Sequence, residues 1–99
     1  MNENKICLKF DKLITDLAGN RYGVSVYESQ VEHNVDFNKI NIVIFPYEIE
    51  DIASSFIQGF YKKLGEEHGK MAALEIMELL ALNNETQNKI KECIDTYGI

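Results

Sequence analysis

The stretch INIVIFPYEIEDIASSFIQGFYKKL, residues 40 to 64, decides the fold. Ile40 to Phe45 is almost wholly apolar and rich in β-branched residues, which predicts a central strand covered on both faces. Pro46 ends it, because proline brings no N–H to a ladder. Tyr47 to Asp51 makes a short acidic loop. Ile52, Phe56, Phe60 and Leu64 then form one stripe, with Ala53, Ile57 and Tyr61 beside it, as an amphipathic helix requires. The helix starts between Asp51 and Ser55. Either Asp51 caps it, with Ser54 at the third position, or Ser55 caps it and Gln58 completes a capping box of the S-x-x-Q type. Gly59 costs about 1 kcal/mol relative to alanine in a helix, which points to a close approach of this helix to the sheet. Gly65 or Gly69 ends the helix, with Lys62 and Lys63 near its negative end.

Outward from this unit, Lys5 to Phe10 alternates, with Ile6, Leu8 and Phe10 on one side, and predicts a half-buried strand. Lys12 to Leu17 reads as a second short strand or a turn of helix, ended by Ala18-Gly19-Asn20. Asn20 can cap a helix running to about His33, with Val24, Tyr27, Val31 and Val35 on one face. Tyr22, Val24 and Val26 would also suit a strand, but the alternation fails at Tyr27-Glu28-Ser29. From Met71 the sequence favours a short helical piece and then a strand over about Glu78 to Leu82, closed by Asn83-Asn84. Glu85 to Tyr97 is the final helix, capped by Asn84 or Asn83, with Ile90, Cys93, Ile94 and Tyr97 toward the core. The order β-α-β-α-β-α predicts one α/β domain over residues 1–99, its core at about 5–97, with helices packed on a mixed sheet.

Ninety-nine residues hold one modest core. Ten Lys and Arg against sixteen Asp and Glu leave a formal net charge of −6, which argues against direct nucleic-acid binding, since that needs a basic face to displace counterions. Cys7 and Cys93 lie in apolar surroundings and read as buried thiols. Neither has a second ligand nearby, so no metal site is expected. No charged-then-apolar leader opens the chain, and no apolar run is long enough for a membrane span. A soluble, cytoplasmic protein is expected.

The polar residues Glu48, Glu50, Asp51, Ser54 and Ser55 cluster around the strand-to-helix loop. No G-x-S-x-G elbow, nucleophile-base-orienter set or phosphate-cradling glycine loop accompanies them, so no catalytic residue and no cofactor is assigned. His33 and His68 lack ligand partners at metal spacing. Tyr47, beside Pro46 and the acidic loop, is the tyrosine expected at a partner surface.

The unit INIVIFPYEIEDIASSFIQGFYKKL resembles the strand-loop-helix of STAS domains, the fold of sulfate transporters and anti-sigma-factor antagonists. It resembles more closely the bacterial STAS-like family of unknown function, DUF4325. The likeness rests on Arg21-x-Gly23 at the first helix, Ser54-Ser55-Phe56 at the second, and a strand from Leu79 to Asn83 leading into the last helix. It implies a small STAS-like domain. In the antagonists a loop reading Asp-Ser-Ser-Gly is phosphorylated by a kinase of the GHKL ATPase type, and Ser55 falls at the modified position. Ala53 and Phe56 replace the Asp and the Gly of that motif. Independently, a serine in the first turn of a helix sits near free N–H groups and the positive end of the dipole.

The function expected from the residues and the resemblance together is a non-catalytic regulatory or protein-interaction module. It would engage a protein partner, such as a GHKL-type ATPase, through Tyr47, Glu48, Glu50, Asp51, Ser54, Ser55 and Gln58. A homodimer through sheet edges or helix faces is a further pairing the resemblance allows. The alternative is an acidic accessory protein of a mobile element that blocks a nucleic-acid-binding protein by charge mimicry.

Overall fold

The computed structural model of the chain describes residues 2–99, the side chain of Tyr97 excepted, so the expected direction of that side chain lies outside the described residues. The elements run β1 (Glu3–Cys7), β2 (Asp16–Leu17), α1 (Asn20–Val26), β3 (Ile40–Phe45), β4 (Asp51–Ile52), α2 (Ser54–His68), α3 (Lys70–Ile76), β5 (Met77–Ala81) and α4 (Asn84–Tyr97). The α/β alternation read from the sequence is present: α3 is the short helical piece expected from Met71, β2 is the strand alternative for Lys12 to Leu17, and its two-residue partner β4 is the added element.

β1, β3 and β5 form a sheet in that order. Every pairing among the described residues is parallel, so the sheet is parallel where a mixed one was expected. The reason is connectivity: a helix lies between each pair of neighbouring strands, and no two-residue hairpin joins any of them. β1 starts earlier than expected because Asn4 is anchored, its Nδ2 donating to Asn41 Oδ1 at 2.8 Å and to the Asn34 carbonyl at 2.6 Å.

A strand order that follows the chain, with right-handed crossovers, puts α1 and α2 on the same face of the sheet. That face holds Ile6, Val43, Phe45, Met77, Leu79 and Ala81, all buried. The residues between them, Ile42, Ile44, Glu78 and Leu80, are half-buried or exposed. The expectation that β3 is covered on both faces is therefore overturned. With its crossover helices on one side, the domain has two layers, and among the described residues no helix covers the other face.

On the covered face Phe45, Phe56 and Phe60 meet at centroid separations of 5.6 to 6.3 Å. Gly59 does allow a close approach, but to α1 rather than to the sheet. A Cβ there would fall onto the carbonyl of Asn20, with Asn20 Cα at 2.9 Å, and a Cβ on Gly23 would meet the backbone of Phe56 and lie 2.8 Å from the Phe60 nitrogen. Two glycines thus let the two helix backbones touch. Lys63 extends the same contact, reaching Glu28 at 2.9 Å and Glu32 at 3.2 Å. The first helix continues beyond Val26 through a wide π turn (Tyr27–Val31) and a 3₁₀ turn (Glu32–Asn34). Tyr27 and Val31 are buried as expected, whereas Val24 and Val35 are only half-buried; Val35 lies past the last helical turn, in extended backbone.

Asn41 is the one polar side chain inside the central strand, and it is fully buried. Its oxygen accepts from Asn4 and from the Asp36 N–H, while its nitrogen donates to the carbonyls of Asp36, Lys39 and Ile76. It ties the turn before β3 to β1 and to the end of α3. The expected strand near Glu78 begins at Met77, and α4 is capped by Asn83, whose Oδ1 accepts from the Glu85 N–H at 3.0 Å. Gly69, at φ 89°, ends α2.

Candidate functional site

The carboxyl ends of parallel strands are where loops converge and where open α/β sheets bind their ligands. Here Pro46 stops β3, and the chain turns back with the Ile49 N–H donating to the Pro46 carbonyl at 3.1 Å. Ile49 is buried and pins the turn from below. Thr86, buried in the first turn of α4, donates its hydroxyl to the Ile49 carbonyl at 2.6 Å. The Thr15 carbonyl accepts from the N–H groups of Glu50 and Asp51 at 2.7 and 3.3 Å. Asn83 Nδ2 donates to the Tyr47 carbonyl at 3.4 Å. The turn is therefore held from below, from α4 and from the segment before β2.

On this fixed backbone Tyr47, Glu48 and Glu50 face outward, and Tyr47 is 67% exposed. They border a polar cleft of about 540 Å³ together with Lys12, Thr15 and Glu85. A second cleft, of about 520 Å³, lies on the other side of Glu48 and Lys12; its wall is apolar, from Leu8, Phe10, Ile14, Pro46 and Ile49. Leu13, 91% exposed, follows Lys12 on the facing loop.

The other expected site residues lie elsewhere. Asp51 belongs to β4, where it pairs with Asp16, and its carboxylate takes Lys89 of α4 at 3.1 Å. That hydrogen bond, with the charge of Asp51, raises the Lys89 pKa. Ser54 is the first residue of α2, and Ala53 stands at the capping position with no side-chain bond. Neither Asp51 nor Ser55 caps the helix, because β4 keeps the chain extended through Ile52 and puts Ser55 inside the first turn. The hydroxyl of Ser55 instead accepts from the Gly19 N–H at 3.0 Å, joining the starts of α1 and α2. Gln58 is on the flank of α2, in a separate cleft with Lys62 and Gly65. The structure thus brings Tyr47, Glu48 and Glu50 to one cleft, puts Ser55 at the junction of α1 and α2, and separates Gln58.

Lys12, Leu13, Thr15, Thr86 and Lys89 shape this end of the molecule and carry no signal in the sequence. Thr86 and Lys89 act on residues 37 and 38 positions away, beyond the reach of any local pattern. Of the cysteines, Cys93 is buried and its thiol is pushed up by burial, which makes it a poor nucleophile. Cys7 is exposed, against expectation, because it falls on the open side of β1. Among the described residues no three His, Cys, Asp or Glu side chains group as metal ligands, and no helix is long and apolar enough to cross a membrane. Comparison with family models, curated proteins and solved structures found no match.

Proposed function

We propose that the chain is a non-catalytic regulatory module of STAS-like type that docks a protein partner, a GHKL-type ATPase or another regulator. The docking surface is the Pro46 turn, with Tyr47 as its anchor and Glu48 and Glu50 as its rim, backed by the start of α2 at Ser54 and Ser55. The observation that carries this reading is an aromatic side chain 67% exposed on a turn whose backbone is tied by Thr15, Asn83 and Thr86. A preformed turn loses little freedom on binding, and an exposed tyrosine is the kind of residue that dominates interface energetics. The apolar cleft beside it offers a place for a partner side chain.

Phosphorylation of Ser55, which the resemblance implies, would act on more than surface charge. The Ser55 oxygen is the acceptor for Gly19 at the junction of α1 and α2. A phosphate there would stand at that junction, so modification would couple partner choice to the seating of α1. Incubation with ATP and a cognate GHKL-type kinase, followed by mass spectrometry of native protein and Ser55→Ala, tests this arm; equal modification of both removes Ser55 from the proposal.

For the docking surface itself, Tyr47→Ala is expected to weaken binding to such an ATPase by about tenfold or more in calorimetry, with an unchanged circular dichroism spectrum. Unchanged affinity moves the interface elsewhere. A second reading, charge mimicry toward a nucleic-acid-binding protein, draws on Glu48, Glu50 and Glu85 around one cleft with Lys12 as its only basic residue. Salt separates the two: mimicry loses affinity steeply as ionic strength rises, and docking through Tyr47 does so weakly.

A further inference from the structure

We infer that the open face of the sheet is a homodimer interface, with two copies of the chain stacked sheet to sheet about a two-fold axis that runs along β3. All-parallel sheets are ordinarily covered on both faces. This one is covered on one. The other face presents three cross-strand rows, read from the register: Glu3 beside Ile40, then Lys5, Ile42 and Glu78, then Cys7, Ile44 and Leu80. Its centre is apolar, and Ile40, Leu80 and Leu82 are 44%, 42% and 56% exposed. Lys5 on one edge strand and Glu78 on the other stand to either side of that centre, and Glu3 lies at the end of the face in the row of Ile40.

That arrangement is self-complementary in one orientation. Rotation by half a turn about an axis along β3 lays β1 of each copy over β5 of the other. Ile42 and Ile44 then meet their own equivalents on the axis. Lys5 of each copy stands opposite the partner's Glu78, so two ion pairs flank the apolar centre. A two-fold axis across the strands, centred on Ile42, would set Lys5 on Lys5 and Glu78 on Glu78. The face is thus complementary to a second copy of itself, and the charges of Lys5 and Glu78 select the orientation, within the twist of about 30° usual for stacked sheets.

The edges of the sheet are less available than its face. α4 and α2 close the outer edge of β5, where Gln87 accepts from the Ala81 N–H and the Tyr61 hydroxyl donates to the Met77 carbonyl at 2.6 Å. Beyond β1, Gln30 occupies both the N–H and the carbonyl of Lys9 at 2.8 Å. Three strands of five residues cover roughly 15 by 17 Å. That is less than the roughly 800 Å² per partner of a standard stable interface, so the dimer is weak and concentration-dependent. It shares no residue with the Tyr47 surface and stands or falls separately from it.

Sedimentation velocity over a micromolar-to-millimolar range tests it. The expected result is a reversible monomer–dimer equilibrium that Ile44→Glu abolishes. Lys5→Glu and Glu78→Lys each weaken it by about tenfold, and the two together in one chain restore it to within about threefold of the native constant. Lys5 and Glu78 are exposed, so these variants keep the monomer fold, which circular dichroism checks. A monomer at every concentration would overturn the inference and leave the face to a different protein. So would a dimer indifferent to Ile44→Glu, or a double variant no better than the weaker single one.

Discussion

The two faces of the β1-β3-β5 sheet are built from alternate residues of the same strands, yet they obey different rules. On the covered face Val43 and Phe45 are fully buried against two helices whose backbones touch through glycine. One residue away, Ile42 and Ile44 are equally apolar and only half-buried. Hydrophobicity alone thus does not define a core position. What defines it is whether the chain carries an element that can return over that side, and here its crossover helices return over the other.

The sharpest way to break the covered side is Gly59→Ala. In an isolated helix the change would gain about 1 kcal/mol. Here the new methyl group lands on the Asn20 backbone, which cannot rotate away, and a net loss of more than about 3 kcal/mol is expected in urea denaturation. A destabilisation below 1 kcal/mol would mean that α1 is free to move off α2.

Threonine placed on each side of β3 in turn tells the two faces apart, since threonine keeps the β-branch. Val43→Thr buries a hydroxyl between Ile6 and Leu79 and should cost about 2 kcal/mol. Ile44→Thr, at dilutions where the monomer dominates, should cost less than about 1 kcal/mol. Equal costs would show that the open face is covered within the monomer.

The smallest effect concerns Tyr27 of the π turn. Burial, and after it the charges of Glu32 and Glu67, push its hydroxyl up to about 12 from an ordinary value of 10. The unfolded chain therefore releases this proton first. The stability linked to Tyr27 is complete below pH 10 and is lost as the pH climbs from 10 to 12. Tyr27→Phe is expected to be nearly neutral at pH 7 and to make that alkaline loss shallower. An alkaline slope identical to the native one would remove Tyr27 as its source.

Much of the fold was legible in local patterns. The stripe Ile52, Phe56, Phe60 and Leu64 is buried as its spacing implied, Pro46 ends β3, Gly69 ends α2, and Asn83 caps α4. The site was legible in part. Tyr47, Glu48 and Glu50 announce an exposed turn because proline, aromatic and acid sit together. The part played by Ser55 was misread, since a capping role depends on where the extended chain stops, and that is set by the pairing of Asp51 and Ile52 with Asp16 and Leu17.

By itself the sequence determined the element types and most of their ends, because periodicity, proline, glycine and capping side chains act over a few residues. It also determined that Ile40 to Phe45 would be the central strand. Long-range packing alone set that the sheet is parallel throughout, that Gly23 and Gly59 meet across two helices, that Thr15, Asn83 and Thr86 hold the Pro46 turn, and that one side of β3 stays open. These depend on which segments return to which side of the sheet. An apolar side chain looks the same in sequence whether its cover is the chain's own helix or another molecule.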